Sequence, residues 1–148
     1  MIELVIDDGG REAAGYRGDT GDCVARAFAI ATEQPYQEVY DLINELARRE
    51  RPRGGRTRSS ARLGVHKATN HKLADALGMV WTPTMQIGSG CTVHLTTDEL
   101  PMGRIVVQLS RHVAAVIDRV LHDTYDSSRD GTRCVYGYWS FPSTTQEV

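Results

Sequence analysis

The 148-residue chain has no apolar run approaching the about 18 residues of a membrane-spanning helix, which excludes a helical span and predicts no membrane partner. The start, Met1-Ile2-Glu3-Leu4-Val5-Ile6-Asp7-Asp8, lacks the basic segment of a secretory signal and reads as a short strand ending in acids. Cysteine is scarce: Cys23, Cys91 and Cys134 are odd in number and lack metal-type spacing. Neither a disulfide framework nor a zinc site is expected, and Cys91 and Cys134 read as structural. His66, His71 and His94 also lack ligand spacing, so no metal or other cofactor is predicted. Reduced thiols and the absent signal point to the cytoplasm. There is no internal repeat, and the length suits one domain, 1–148, with a single buried core.

Charge is unevenly spread. The net charge is −2, yet residues 48–62 hold seven of the fifteen arginines and one acid, Glu50. Arg51, Arg53, Arg56 and Arg58 in this stretch are candidate contacts for an acidic partner or for phosphates. The plainer reading is a solvated arginine-rich loop.

The residue pattern orders helices before strands. After Ile2–Ile6, three glycines (Gly15, Gly18 and Gly21) lead to Asp22, which sits where an N-cap is expected. A helix follows over 23–31, apolar nearly all round with Arg26 its one charge, and therefore expected at the domain's centre. A second helix opens at Gln34-Pro35, with Val39, Leu42, Ile43 and Leu46 at helical spacing. A third spans 67–77, with Leu73, Ala76 and Leu77 on one face and Gly78 stopping it. Val80–Thr82 reads as a strand, and Thr96–Glu99 as a capping box for one helical turn. From residue 104 the pattern is β: a buried strand over 104–109, a hairpin of 112–117 and 120–124 around Asp118-Arg119, and a last strand over 134–139. Helices followed by an antiparallel sheet define an α+β fold.

Cys23 opens the first helix, where unpaired N–H groups and the helix dipole favour a thiolate. Pairing the hairpin outward from Asp118-Arg119 sets Ile117 against Val120 and Ala114 against Asp123. His112, Ala114, Asp123 and Tyr125 then share a face, with Asp123 one diagonal step from His112. A one-residue slip would instead turn Asp123 away and bring His122 or Asp126 round. If the helix meets the hairpin, Cys23 is the nucleophile, His112 its base and Asp123 the group that orients His112. The Cys23 N–H would stabilise the oxyanion. Asp22 opposes the thiolate unless its carboxylate is otherwise paired. Tyr136 and Tyr138 read as sheet residues or as one side of a substrate groove.

Gly21-Asp22-Cys23 opening an alanine-rich helix, followed by Arg111–Val116 and His122-Asp123-Thr124, resembles the papain-like cysteine peptidase superfamily. The likeness is nearest to the small bacterial and phage proteins similar to C39-type peptidases, and it covers residues 17–32 and 104–139. It implies helices packed on a small antiparallel sheet and thiol-dependent cleavage of an amide or isopeptide bond. Where that family carries an oxyanion glutamine, about six residues before the cysteine, this chain has Arg17, with Asp19 and Thr20 nearby.

Three functions compete at this level. The first is a cysteine-dependent peptidase or amidase acting on a polypeptide. The second is an inactive binding protein on the same fold, phage or bacterial, with the arginine loop holding an acidic partner or nucleic acid. The third is a peptidoglycan-directed amidase, against which the missing export signal argues.

Overall fold

The computed structural model describes residues 1–18, 20–51 and 57–142. Three helices, α1 (Cys23–Thr32), α2 (Tyr36–Arg48) and α3 (Lys67–Ala76), accompany six strands. The strands are β1 (Glu3–Ile6), β2 (Val80–Pro83), β3 (Arg104–Leu109), β4 (His112–Ile117), β5 (Val120–Asp123) and β6 (Gly137–Ser140). They form one sheet in the order β1-β5-β4-β3-β6-β2. The fold is α+β, as the residue pattern predicts, but the sheet is mixed: β1 pairs in parallel with β5, and every other pairing is antiparallel. A parallel partner distant in sequence leaves no turn signal, so the pattern reads as antiparallel throughout.

The central strands are buried on both faces, which explains their nearly unbroken apolar sequence. Val106, Val113 and Ala115 join the cluster under α1, while Ile105, Val107, Leu109, Ala114 and Val116 join a second cluster with Leu95, Leu100 and Val135. Two-residue loops build the turns on either side of β4. Arg111 in the first, and Asp118 and Arg119 in the second, take positive φ, and the β4–β5 register is Ile117↔Val120 and Ala115↔His122, as expected.

Helix α1 is buried from Val24 through Ala31, with Phe28 against Trp139 at 5.4 Å between ring centroids. Its last carbonyls are satisfied from the sheet, where Arg104 donates to Ile30 O (2.8 Å) and Ala31 O (2.9 Å). Helix α2 buries Tyr36, Val39, Ile43 and Ala47, with Leu42 and Leu46 half-buried at the edge of that stripe. Helix α3 turns a different face inward than expected: Thr69, Asn70, Leu73 and Ala74 are buried, Leu77 is half-buried and Ala76 is exposed.

Further expectations are corrected. Cys91 and Cys134 form a disulfide with their Cα atoms 5.9 Å apart, closing a loop between two segments that share the His94↔Cys134 bridge. Cys134 precedes the last strand, which starts at Gly137; the Trp81 indole of β2 packs on that glycine, where a Cβ would meet it at 2.3 Å. Asp22 occupies the N-cap position of α1 without making a capping hydrogen bond. Over 96–99 there is one 3₁₀ turn, Thr97–Glu99, and Glu99 accepts from the His94 N–H (3.0 Å) rather than closing a box with Thr96.

Candidate active site

Packing α1 on β4 brings the start of the helix to the start of the strand, so Cys23 and His112 meet. The two side chains interact, each drawing the other toward its charged form. The Nε2 of His112 lies 2.7 Å from Oδ2 of Asp123, the diagonal contact that the hairpin register predicts. With Nε2 engaged by the carboxylate, Nδ1 is the ring nitrogen left for the thiol. The remaining Asp123 contacts are also made: Ser127 Oγ donates to Oδ2 (2.8 Å) and the Thr124 N–H to Oδ1 (2.7 Å).

Electrostatics follow from this placement. Burial pushes the Cys23 thiol up, but the hydrogen bond and charge of His112, the Val113 N–H and Arg26 outweigh it and bring the thiol below its ordinary 9.0. Burial would lower His112, yet Asp123 and Cys23 raise it from 6.5 to about 9. Burial raises the Asp123 carboxyl, and His112, Ser127 and the Thr124 N–H more than reverse this, holding it below 3.8. Both shifts run toward a thiolate–imidazolium pair, each charge favouring the other.

Asp22 does not oppose the thiolate, because its carboxylate turns away into a buried network. Its Oδ1 is held by Arg26 and by Arg11 Nη1 (3.3 Å), and its Oδ2 accepts from Tyr36 OH (2.6 Å). Arg26 also approaches Asp123 Oδ1 with its Nη2, at 3.5 Å. Residue reading missed Arg11, Tyr36 and Ser127 altogether. Arg26 carried a signal, since a lone charge four residues after an acid on an apolar helix calls for a buried partner.

The cysteine opens on a groove of about 790 Å³. Thr20, Gly21 and Leu63–Val65 form one wall, and Gln108, Ser110–Val113, Tyr125 and Tyr136 form the other. Gly21 lets two segments of the first wall touch: its N–H donates to Arg62 O (2.7 Å), and a Cβ would meet the Leu63 carbonyl at 2.8 Å. Behind the opposite wall, Arg133 ties the turn before His112 to the Asp123 side, donating to Ser110 O (2.6 Å) and Ser127 O (3.4 Å). Asn70, 3% exposed, lines the groove with its Oδ1 unpartnered. Tyr138 packs on the second cluster instead.

The other candidate residues divide. Thr20 lines the groove, with its hydroxyl donating to Arg62 O (2.8 Å). Arg17 is exposed and absent from the groove lining; its carbonyl accepts from Arg62 (2.6 Å). Asp126 is exposed, and its carboxylate accepts from the Ser128 N–H (3.0 Å) and hydroxyl (2.6 Å). The register that holds Asp123 toward His112 leaves Asp126 outside the site. Arg51 and Arg58 are exposed around a separate basic bowl. Asp19, Arg53 and Arg56 lie outside the described residues. Among the described residues, no group of three or more His, Cys, Asp or Glu side chains is placed to hold a metal ion.

No protein-family model matches this chain, and no curated protein and no solved structure matches it. No described helix is long and apolar enough to cross a membrane.

Proposed function

We propose that this chain is a papain-like cysteine hydrolase that cleaves an amide or isopeptide bond in a polypeptide. The observation that carries the reading is that Cys23 and His112 line one open groove and shift each other's pKa, with Asp123 bonded to the far nitrogen of the histidine. Cys23 Sγ attacks the scissile carbonyl carbon, forming a C–S bond and an oxyanion. The imidazolium of His112 passes its Nδ1 proton to the departing amine as the C–N bond breaks. His112 then takes a proton from water, whose oxygen attacks the thioester. The C–S bond breaks, the acid leaves, and the thiolate–imidazolium pair returns. Asp123 holds the ring and its charge throughout.

The Cys23 N–H, unpaired at the first turn of α1, is one donor for the oxyanion, and such a donor contributes about 3 kcal/mol in comparable sites. Arg17 is not a second one. Asn70 also lines the groove, but its unpartnered atom is Oδ1, an acceptor, so it adds no donor for the oxyanion.

A second reading, a binding protein on the same fold without hydrolytic activity, is favoured by Arg17 lying outside the groove. Incubation with a mixed-sequence peptide library, read by mass spectrometry, separates the two. The hydrolase yields cleaved peptides and a transient acyl adduct on Cys23, both lost in Cys23→Ala. Intact peptides and no adduct would leave the binding protein.

A further inference from the structure

Beside the groove lies a second depression lined by Arg49, Glu50, Arg51, Arg58, Lys67 and Lys72. Lys67, in the first turn of α3, belongs to both depressions. Arg49 pairs with Glu45 at 3.6 Å. Arg51, Arg58, Lys67 and Lys72 make no ion pair among the described residues, and all four are exposed. Glu50, the one acid among the bowl's described lining residues, is turned inward, accepting from the Ser59 N–H (2.7 Å) and the Thr69 hydroxyl.

The groove continues the same polarity. Arg11, Arg26, Lys67 and Arg111 line it, and Asp22, its one acid among the described residues, is wholly buried against Arg11 and Arg26. Asp22 and Asp123 balance Arg11 and Arg26, which leaves Lys67 and Arg111 as the uncompensated positive charges of the groove on a chain of net charge −2.

We propose that the basic bowl holds an acidic stretch of the polypeptide substrate, on the α3 side of the bond that Cys23 attacks; this rests on reading the groove as a polypeptide-cleaving site. Continuity through Lys67 lets one extended chain occupy both depressions. A nucleic acid fits the bowl less well, since no Phe, Tyr or Trp is among its described lining residues and single strands need such stacking platforms.

The test uses the full chain carrying Cys23→Ala, so that binding is read without turnover. Its probes are a fluorescein-labelled glutamate-rich peptide, the same peptide with glutamine for glutamate, and a single-stranded oligonucleotide. Fluorescence anisotropy is expected to show the glutamate peptide binding about tenfold tighter than the glutamine peptide. The difference shrinks as salt shortens the screening length. It also shrinks in Lys67→Glu and in a combined Arg58→Ala, Lys67→Ala and Lys72→Ala variant. Equal binding of the two peptides, or tighter binding of the oligonucleotide, would overturn the proposal. Either failure leaves wild-type cleavage to be judged separately, and absent cleavage leaves this binding result standing.

Discussion

One nitrogen of Arg26, Nη2, stands 3.5 Å from Oδ1 of Asp123, while its Nη1 holds Asp22. One guanidinium thus joins the carboxylate before the nucleophile to the carboxylate that orients the histidine. A fixed planar fork suits this bridge, which a lysine ammonium cannot reproduce.

Arg26→Met is expected to destabilise the chain by about 3–5 kcal/mol, the usual cost of breaking a buried ion pair from one side. Arg26→Lys falls between this variant and wild type. Urea denaturation followed by circular dichroism measures both, and unchanged midpoints would mean the network carries no stability.

The relay was legible in the sequence where local rules decide it. Asp118-Arg119 defines a two-residue loop, and from it the pleat alone sets Asp123 diagonal to His112, as found at 2.7 Å. Helix α1 was legible because its apolar faces leave it nowhere but the core. What escaped depends on contacts distant in sequence. The parallel β1–β5 pairing and the Cys91–Cys134 bond leave no local signature. The inward turn of the Asp22 carboxylate escaped because its partners Arg11 and Tyr36 come from other segments.

Stability against pH should distinguish wild type from Cys23→Ala. Between pH 6.5 and about 9, folded His112 keeps a proton that the unfolded chain has lost, so its contribution falls as pH rises. Cys23 acts oppositely: its folded pKa lies below 9.0, so the unfolded chain binds the extra proton and stability rises with pH. The two slopes offset each other in wild type. Removing the thiol leaves the His112 slope, held up by Asp123. Urea titrations at several pH values should therefore show Cys23→Ala losing stability more steeply across this window. Parallel slopes would contradict the pairing.

Reduction of the Cys91–Cys134 disulfide opens a loop with 43 residues of sequence separation. The expected cost is about 2–4 kcal/mol, read as a lower melting temperature in dithiothreitol. The Cys91→Ala, Cys134→Ala double variant should melt at the lower temperature with or without reductant. A wild-type melt indifferent to dithiothreitol would refute the bond's stabilising role.

Gly21→Ala forces a methyl toward the Leu63 carbonyl, so the wall segment 63–65 must move away from the start of α1. A loss of about 1–3 kcal/mol is expected, with slower modification of Cys23. Gly88→Ala, where a Cβ meets nothing within 4 Å but the backbone holds a φ of 85°, supplies a comparison for backbone strain alone.

The central claim is that His112 activates Cys23. With Cys91 and Cys134 bonded to each other, Cys23 is the free thiol, so iodoacetamide labelling under non-reducing conditions reports on it alone. The rate measured against pH should show a thiolate forming below the ordinary 9.0, with His112→Ala moving that midpoint up and slowing labelling at neutral pH. A wild-type midpoint at or above 9.0, unchanged by His112→Ala, would contradict the account.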